Sequence, residues 1–182
     1  NKIFAMVNGI TGTTGAGKDT IADYLKTLGF VYHSLSDIIR DECGKKNIPL
    51  DRDNLIAMGN ELREKLGPGV LGALTAEKIQ NLGETKSIAV SIRNPAEVTE
   101  LKKMPGFFLI SVDAPIGVRY DRIKNRGRIE DSVTLEKFTG QENSELAGSV
   151  NQQQLNAVMT LAFYKLFAAR WRAQYFFHSR LF

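Results

Sequence analysis

Nine residues constrain this chain more than any others: Gly12-Thr13-Thr14-Gly15-Ala16-Gly17-Lys18-Asp19-Thr20. The apolar run from Ile3 to Ile10 precedes them and has the character of a buried strand. Lys18 to Leu28 follows, with Ile21, Ala22, Leu25 and Leu28 on one helical face, and Gly29 ends it. Strand, glycine-rich turn and helix in that order make a cradle for phosphate. Backbone N–H groups point at the anion, glycine lets the chain wrap closely, and the helix adds the positive end of its dipole. Lys18 is placed to reach the β- and γ-phosphates of a bound triphosphate. Gly12 to Thr20 is therefore read as an ATP-binding loop. Asp19 stands where Ser or Thr usually ligates Mg²⁺, and two readings of it are open. It contacts the Mg²⁺ shell through water, or it stabilises the start of the helix.

The remainder alternates apolar runs with helical patterns, as a parallel α/β sheet requires. Strands are expected at Phe30–His33, Ser87–Ile92 and Phe107–Val112. Helices are expected over Ser36–Cys43, capped by Ser34 or Ser36, and from Asp51 or Asp53 to Leu66. Others cover Val70–Gln80, a stretch beginning near Glu97 after the Asn94-Pro95 break, and a stretch ending near Asn125. Residues 126–133 are polar and contain Gly127, the pattern of a lid loop. From Thr134 the chain reads mostly helical, with a helical tail over about 150–182. The expected architecture is one domain over 1–182: a three-layer α/β P-loop NTPase fold, with a mainly parallel sheet flanked by helices.

Composition removes several alternatives. With 43% hydrophobic and 24% charged residues, the chain can bury a core and is not of disordered type. One cysteine, Cys43, excludes an intrachain disulfide and a thiolate zinc site. No apolar stretch reaches the length of a transmembrane helix, no signal-peptide layout opens the sequence, and a cytoplasmic setting is the default expectation. The net charge of +4 is spread along the chain without a basic block, so no nucleic-acid partner is expected.

Two phosphorylated substrates repel each other, so phosphoryl transfer requires cations between them. Arginine suits this because its fork meets phosphate oxygens two at a time. Arg93 follows the third strand, and Arg122 and Arg126 share a helix face beside the lid, on which Arg128 lies. Asp37 and Arg40 also share a face. Arg63 is read either as an acceptor-site residue or as a partner of neighbours on an exposed helix.

These segments resemble the nucleoside monophosphate kinases. Gly-Lys-Asp-Thr is similar to the loop of some deoxynucleoside monophosphate kinases. Ser34-Leu35-Ser36-Asp37-Ile38-Ile39-Arg40 resembles an adenylate kinase segment whose arginine holds the acceptor phosphate, and Ser91-Ile92-Arg93-Asn94-Pro95 sits where another such arginine occurs. Tyr120 to Arg126 looks like the run leading into the lid, where two arginines stabilise the transferring group. The same strings, with Gly67-Pro68-Gly69-Val70-Leu71 and Val112-Asp113-Ala114-Pro115, are similar to a kinase-like domain related to dephospho-coenzyme A kinases. In some relatives that domain precedes a deoxycytidylate deaminase, whose zinc signature a single cysteine cannot supply.

The resemblance implies a nucleoside monophosphate kinase-like strand order and ATP with Mg²⁺ as cofactors. Lys18, Arg122, Arg126 and Arg128 would act on the transferring group. Asp37, Arg40, Arg63 and Arg93 would act at a small phosphorylated acceptor, a nucleoside or deoxynucleoside 5′-monophosphate. Two rivals stand beside this: a dephospho-coenzyme A kinase using Asp37 as base, and an ATP-binding module without chemistry. The chain departs from the family in two places. Ile88-Ala89-Val90-Ser91 lacks the carboxylate that helps hold Mg²⁺. Leu161 to Arg172 reads as an aromatic, basic helix instead of a fifth strand, one that packs on the core or on a second copy of the chain, or that lies on a membrane surface.

Overall fold

β1 (Met6–Gly12) is covered on both faces, and every residue after Met6 is buried: Val7 and Ile10 supply apolar contacts, and Thr11 donates to the Ile92 carbonyl at 2.7 Å. The computed structural model describes residues 6–127 and 133–167. The chain proceeds through α1 (Lys18–Thr27), β2 (Val31–Ser34), α2 (Leu35–Lys45), α3 (Arg52–Leu66), α4 (Val70–Asn81), β3 (Lys86–Val90), α5 (Pro95–Leu101) and β4 (Phe107–Asp113). It continues with α6 (Ile116–Arg126), α7 (Leu135–Leu146), α8 (Leu155–Thr160) and β5 (Tyr164–Phe167). The strands form one sheet in the order β2-β3-β1-β4-β5, and every pairing is parallel. This is an α/β, P-loop kinase-like fold.

Two hydrophobic layers cover the sheet. Val7, Ala89 and Leu109 face α2, α4 and α5 with Leu35, Leu71 and Val98. Ile10, Ile88, Val90 and Val112 face α1 with Ile21, Ala22 and Leu25. The period of two along β3 places Ile88 and Val90 on one face and Ala89 on the other. Helix starts are set locally. Asp51 accepts from Asn54 N at 2.9 Å, and Asn94 and Glu97 form a reciprocal capping box with Pro95 in the first turn. Ser34 occupies the cap position of α2, but its hydroxyl points to Ser91 at 3.3 Å and makes no capping bond.

The tail departs from expectation. Helix ends at Thr160, and Tyr164–Phe167 pairs with β4 as the fifth parallel strand. The physical reason is β4 itself, whose outer edge would otherwise leave backbone groups without partners. The β-favouring Tyr164-Lys165-Leu166-Phe167 closes it and packs Leu166 on the α1 layer. The expected tail helix thus holds only for α8, and the proposed pairing surface has no helix over 161–167. Residues 168–182 lie outside the described residues, as do Arg128 and most of the expected lid.

Candidate active site

The cleft forms at the carboxyl ends of the strands, where open α/β sheets bind ligands. β1 delivers Gly12, at φ +134, so close to β4 that a Cβ there would lie 1.8 Å from the Val112 carbonyl oxygen. Gly15, at φ +79, passes the Arg119 carbonyl of α6, which an added Cβ would approach to 2.6 Å. Only glycine fits either position, so the loop is locked between β4 and α6. The first amides of α1 then face the cleft, where a helix cannot satisfy them internally. Lys18 Nζ donates to the Gly12 and Thr13 carbonyls at 2.8 and 2.7 Å, which holds the ammonium over the loop.

One cavity of about 820 Å³ joins nearly every residue that sequence reasoning selected. Thr14, Gly15, Gly17, Lys18, Asp19 and Thr20 form one wall. Asp37, Arg40, Arg63 and Arg93 line another, and Arg122 and Arg126 line a third. Gly12, Thr13 and Ala16 lie behind the wall and shape it. Arg122 Nη1 donates to the Gly15 and Ala16 carbonyls at 3.3 and 3.2 Å. Arg126 Nη1 sits 3.6 Å from the Asp19 carboxylate, and Arg40 lies 3.7 Å from Asp37. Ser91, with φ +64, turns the chain sharply out of β3 toward Arg93 at the cavity wall.

Arg63 is not on an exposed helix surface. It is 1% exposed, and Nε and Nη2 each lie 2.8 Å from Glu97 Oε1. Glu97 Oε2 accepts from the backbone N–H groups of Arg93 and Asn94 at 2.8 and 3.0 Å, so one carboxylate fixes two of the cavity's arginines. Arg63 Nη1 and Gln153 Oε1 are buried, belong to residues that line the cavity, and have no hydrogen-bond partner among the described residues. Buried polar atoms are rarely left so, and both are available to a ligand.

Sequence reasoning missed a second layer. Glu145 of α7, 3% exposed, accepts from Arg52 Nε and Nη2 at 3.0 and 2.8 Å and from Arg93 Nη1 at 2.5 Å. Glu142, one turn earlier, pairs with Arg119, which also donates to the carbonyls of Ala114 and Thr14 at 2.6 and 3.3 Å. Phe138 lies beneath both arginines, 5.0 Å from the Arg52 guanidinium and 5.9 Å from that of Arg119. The available signal was the (i, i+3) spacing of Glu142 and Glu145, which places both on one helix face.

Seven cations (Lys18, Arg40, Arg52, Arg63, Arg93, Arg122 and Arg126) share the cavity lining with three carboxylates, Asp19, Asp37 and Glu145. This excess is felt at Lys18, whose pKa falls from 10.5 to about 7 through burial and then through the positive charge of Arg93. Burial alone would push the Glu145 carboxyl up. Arg93, Arg52 and Lys18 outweigh it and hold it below the usual range. Asp113 ends β4 but does not line this cavity, and its Oδ1 accepts from Thr13 Oγ1 at 2.5 Å and Ala114 N at 2.8 Å. No carboxylate ends β3, whose last residues are Ile88-Ala89-Val90. On the loop wall Asp19 and Thr20 follow Lys18 and have side-chain oxygens to offer a cation, whereas Thr14 Oγ1 lies within reach of Arg52 and Arg93. That fits Mg²⁺, which takes few protein ligands and keeps several waters.

A family model described as an AAA domain (AAA_18) matches residues 9–147. A UPF0200 protein of Pyrococcus abyssi is 36% identical over 142 residues, 75% of this chain and 76% of that relative. A UPF0200 protein of Pyrococcus horikoshii is 32% identical over 160 residues, 85% and 83% of the two chains. Among solved structures, TT1252 from Thermus thermophilus matches with a TM-score of 0.56 at 19% identity, covering 92% of this chain and 90% of that one. Shikimate kinase from Bacteroides thetaiotaomicron gives 0.49 at 14% identity, covering 90% and 86%.

Proposed function

The chain belongs to the UPF0200 family, and from that premise and the cavity's geometry we propose that it transfers the γ-phosphoryl group of ATP to the phosphate of a nucleoside or deoxynucleoside 5′-monophosphate. The observation that carries this is the single cavity, lined both by the phosphate loop and by Arg40, Arg63 and Arg93 from other elements. A site for ATP alone needs only the first.

Lys18 and the loop amides hold the β- and γ-phosphates. Arg40 and Arg93 hold the acceptor phosphate, and the buried donor Arg63 Nη1 and acceptor Gln153 Oε1 meet uncharged polar atoms of the base or sugar. Arg63 suits an uncharged partner because Glu97 already balances its charge. An acceptor phosphate oxygen attacks the γ-phosphorus, the bond from that phosphorus to the β,γ-bridging oxygen breaks, and ADP leaves. No general base is needed, since the attacking oxygen is already anionic. Arg122 and Arg126 neutralise charge on the transferring group. Mg²⁺, held by the phosphates and by Asp19 and Thr20 through water, would supply further charge neutralisation. Asp19→Asn is expected to raise the Mg²⁺ concentration needed for half-maximal rate. An unchanged requirement leaves Asp19 a residue of the helix start only.

The test is ADP release from ATP and Mg²⁺ in the presence of nucleoside monophosphates, deoxynucleoside monophosphates or dephospho-coenzyme A. Stimulation by one monophosphate is expected. Stimulation by dephospho-coenzyme A alone, abolished by Asp37→Asn, would instead assign a hydroxyl acceptor, with Asp37 of the cavity wall taking its proton. ATP binding without stimulation by any acceptor would assign a nucleotide-binding module.

A further inference from the structure

Arg52 opens α3, far in sequence from the phosphate loop, and nothing in its local sequence marks it. It is nevertheless 8% exposed, lines the cavity, and is fixed from three sides. Glu145 accepts from Nε and Nη2, Phe138 lies under the guanidinium plane, and Nη2 reaches Thr14 Oγ1 of the phosphate loop at 3.4 Å. Arg93 Nη2 reaches the same hydroxyl at 3.4 Å, from the other oxygen of Glu145. Two guanidinium groups are thus drawn together at one point of the loop by one carboxylate. Arg52 lines the cavity, and among the described residues its hydrogen bonds run from Nε and Nη2, which leaves the Nη1 donors for a ligand.

Charge argues in the same direction. Lys18, Arg52 and Arg93 gather around Glu145, three cations on one buried carboxylate. An arrangement serving only stability would not carry that excess, since unpaired buried charge is costly. It is completed by an anion beside Thr14. Burial first, and the charge of Arg93 second, lower the Lys18 pKa, and a bound anion would oppose both.

We propose that Arg52 binds the terminal phosphate of the donor, the group that is transferred, and that Glu145 is a positioning residue that holds Arg52 at the phosphate loop beside Arg93, the residue that takes the acceptor phosphate. This rests on the kinase reading for the identity of the donor. The reach of Arg52 Nη2 to Thr14 Oγ1 assigns it to the donor end, and Arg93, at the same hydroxyl, stands where the two phosphates meet.

The test is calorimetric titration of the full chain with a non-hydrolysable β,γ-methylene analogue of ATP and with ADP, which differ by that terminal phosphate. The wild type binds the triphosphate more tightly. Arg52→Gln reduces this preference about tenfold or more, the loss expected for one hydrogen bond to a charged group. Glu145→Gln, which keeps the shape and removes the charge, also reduces it, and Arg52→Lys retains part of it. Asp53→Asn, next in sequence but outside the cavity lining, leaves it unchanged. A structural role would weaken both nucleotides alike. No triphosphate preference in the wild type, or an unaltered preference in Arg52→Gln, overturns the proposal. Because no acceptor is present, the absence of turnover on any monophosphate would sink the kinase reading and leave this result standing.

Discussion

The two sides of the cavity are built on opposite principles. The phosphate loop is made of backbone, and its shape follows from glycines at consecutive turns of one short segment. The arginine side is made of long side chains, each held by a carboxylate from a distant element: Arg63 by Glu97, and Arg52 and Arg93 by Glu145. Backbone amides carry no net charge and can face an empty cleft at little cost. Guanidinium groups in a buried wall need counter-charges before an anion arrives, so the arginine side depends on buried ion pairs that the backbone of the loop does without.

This difference can be probed most strongly at Glu97. Glu97→Gln strips the counter-charge from a fully buried arginine and is expected to cost about 3–5 kcal/mol of stability, read by chemical denaturation. Loss of less than about 1 kcal/mol, within the range of exposed pairs, would show that the pair is solvated and break the comparison. On the loop side, Lys18→Ala removes function and not folding. Turnover is expected to fall about 100-fold or more, in line with loss of a preorganised donor, with the melting temperature held near wild type. Gly12→Ala forces a Cβ against the Val112 carbonyl. It is expected to cost about 1–3 kcal/mol as an overpacked contact and to abolish nucleotide binding by displacing the loop from β4.

The contrast also explains what could be read in advance. The loop was legible because all its determinants lie within Gly12 to Thr20, and the flanking strand and helix follow from local periodicity. Arg40, Arg93, Arg122 and Arg126 were legible as cations at strand ends and on a shared helix face. Their supports were not. Glu145 reaches Arg52 across 93 positions and Arg93 across 52, and no local pattern encodes such pairings. Arg63 was placed in the site, yet one alternative put it on an exposed helix, since its partner lies 34 positions away. β5 was missed because Tyr164–Phe167 lies inside the aromatic, basic run Leu161 to Arg172, which reads as one amphipathic helix. Its formation answers the open edge of β4, a tertiary demand.

The smallest expected effect concerns protons. With its pKa near 7 in the nucleotide-free protein, Lys18 is mostly neutral at pH 8.5 and charged at pH 6. Bound phosphates favour the charged form, so binding at the higher pH is expected to take up close to one proton and at the lower pH almost none. Calorimetry in buffers of different ionisation enthalpy measures this directly. For the nucleotide-free chain the sign is fixed by the lowered value. The unfolded lysine binds its proton more tightly, so the contribution of Lys18 to stability improves as pH rises from about 7 toward 10.5. Equal proton uptake at both pH values would mean that burial and Arg93 do not lower the Lys18 pKa in the nucleotide-free protein.

The central claim is that donor and acceptor phosphates meet in one cavity. The most direct measurement follows the γ-phosphoryl group of labelled ATP in the presence of Mg²⁺ and each monophosphate in turn, with Lys18→Ala alongside. The label is expected in a nucleoside diphosphate formed from one acceptor, and Lys18→Ala is expected to abolish the transfer. Label that stays in ATP, or passes only to inorganic phosphate, while nucleotide binding is intact would contradict it.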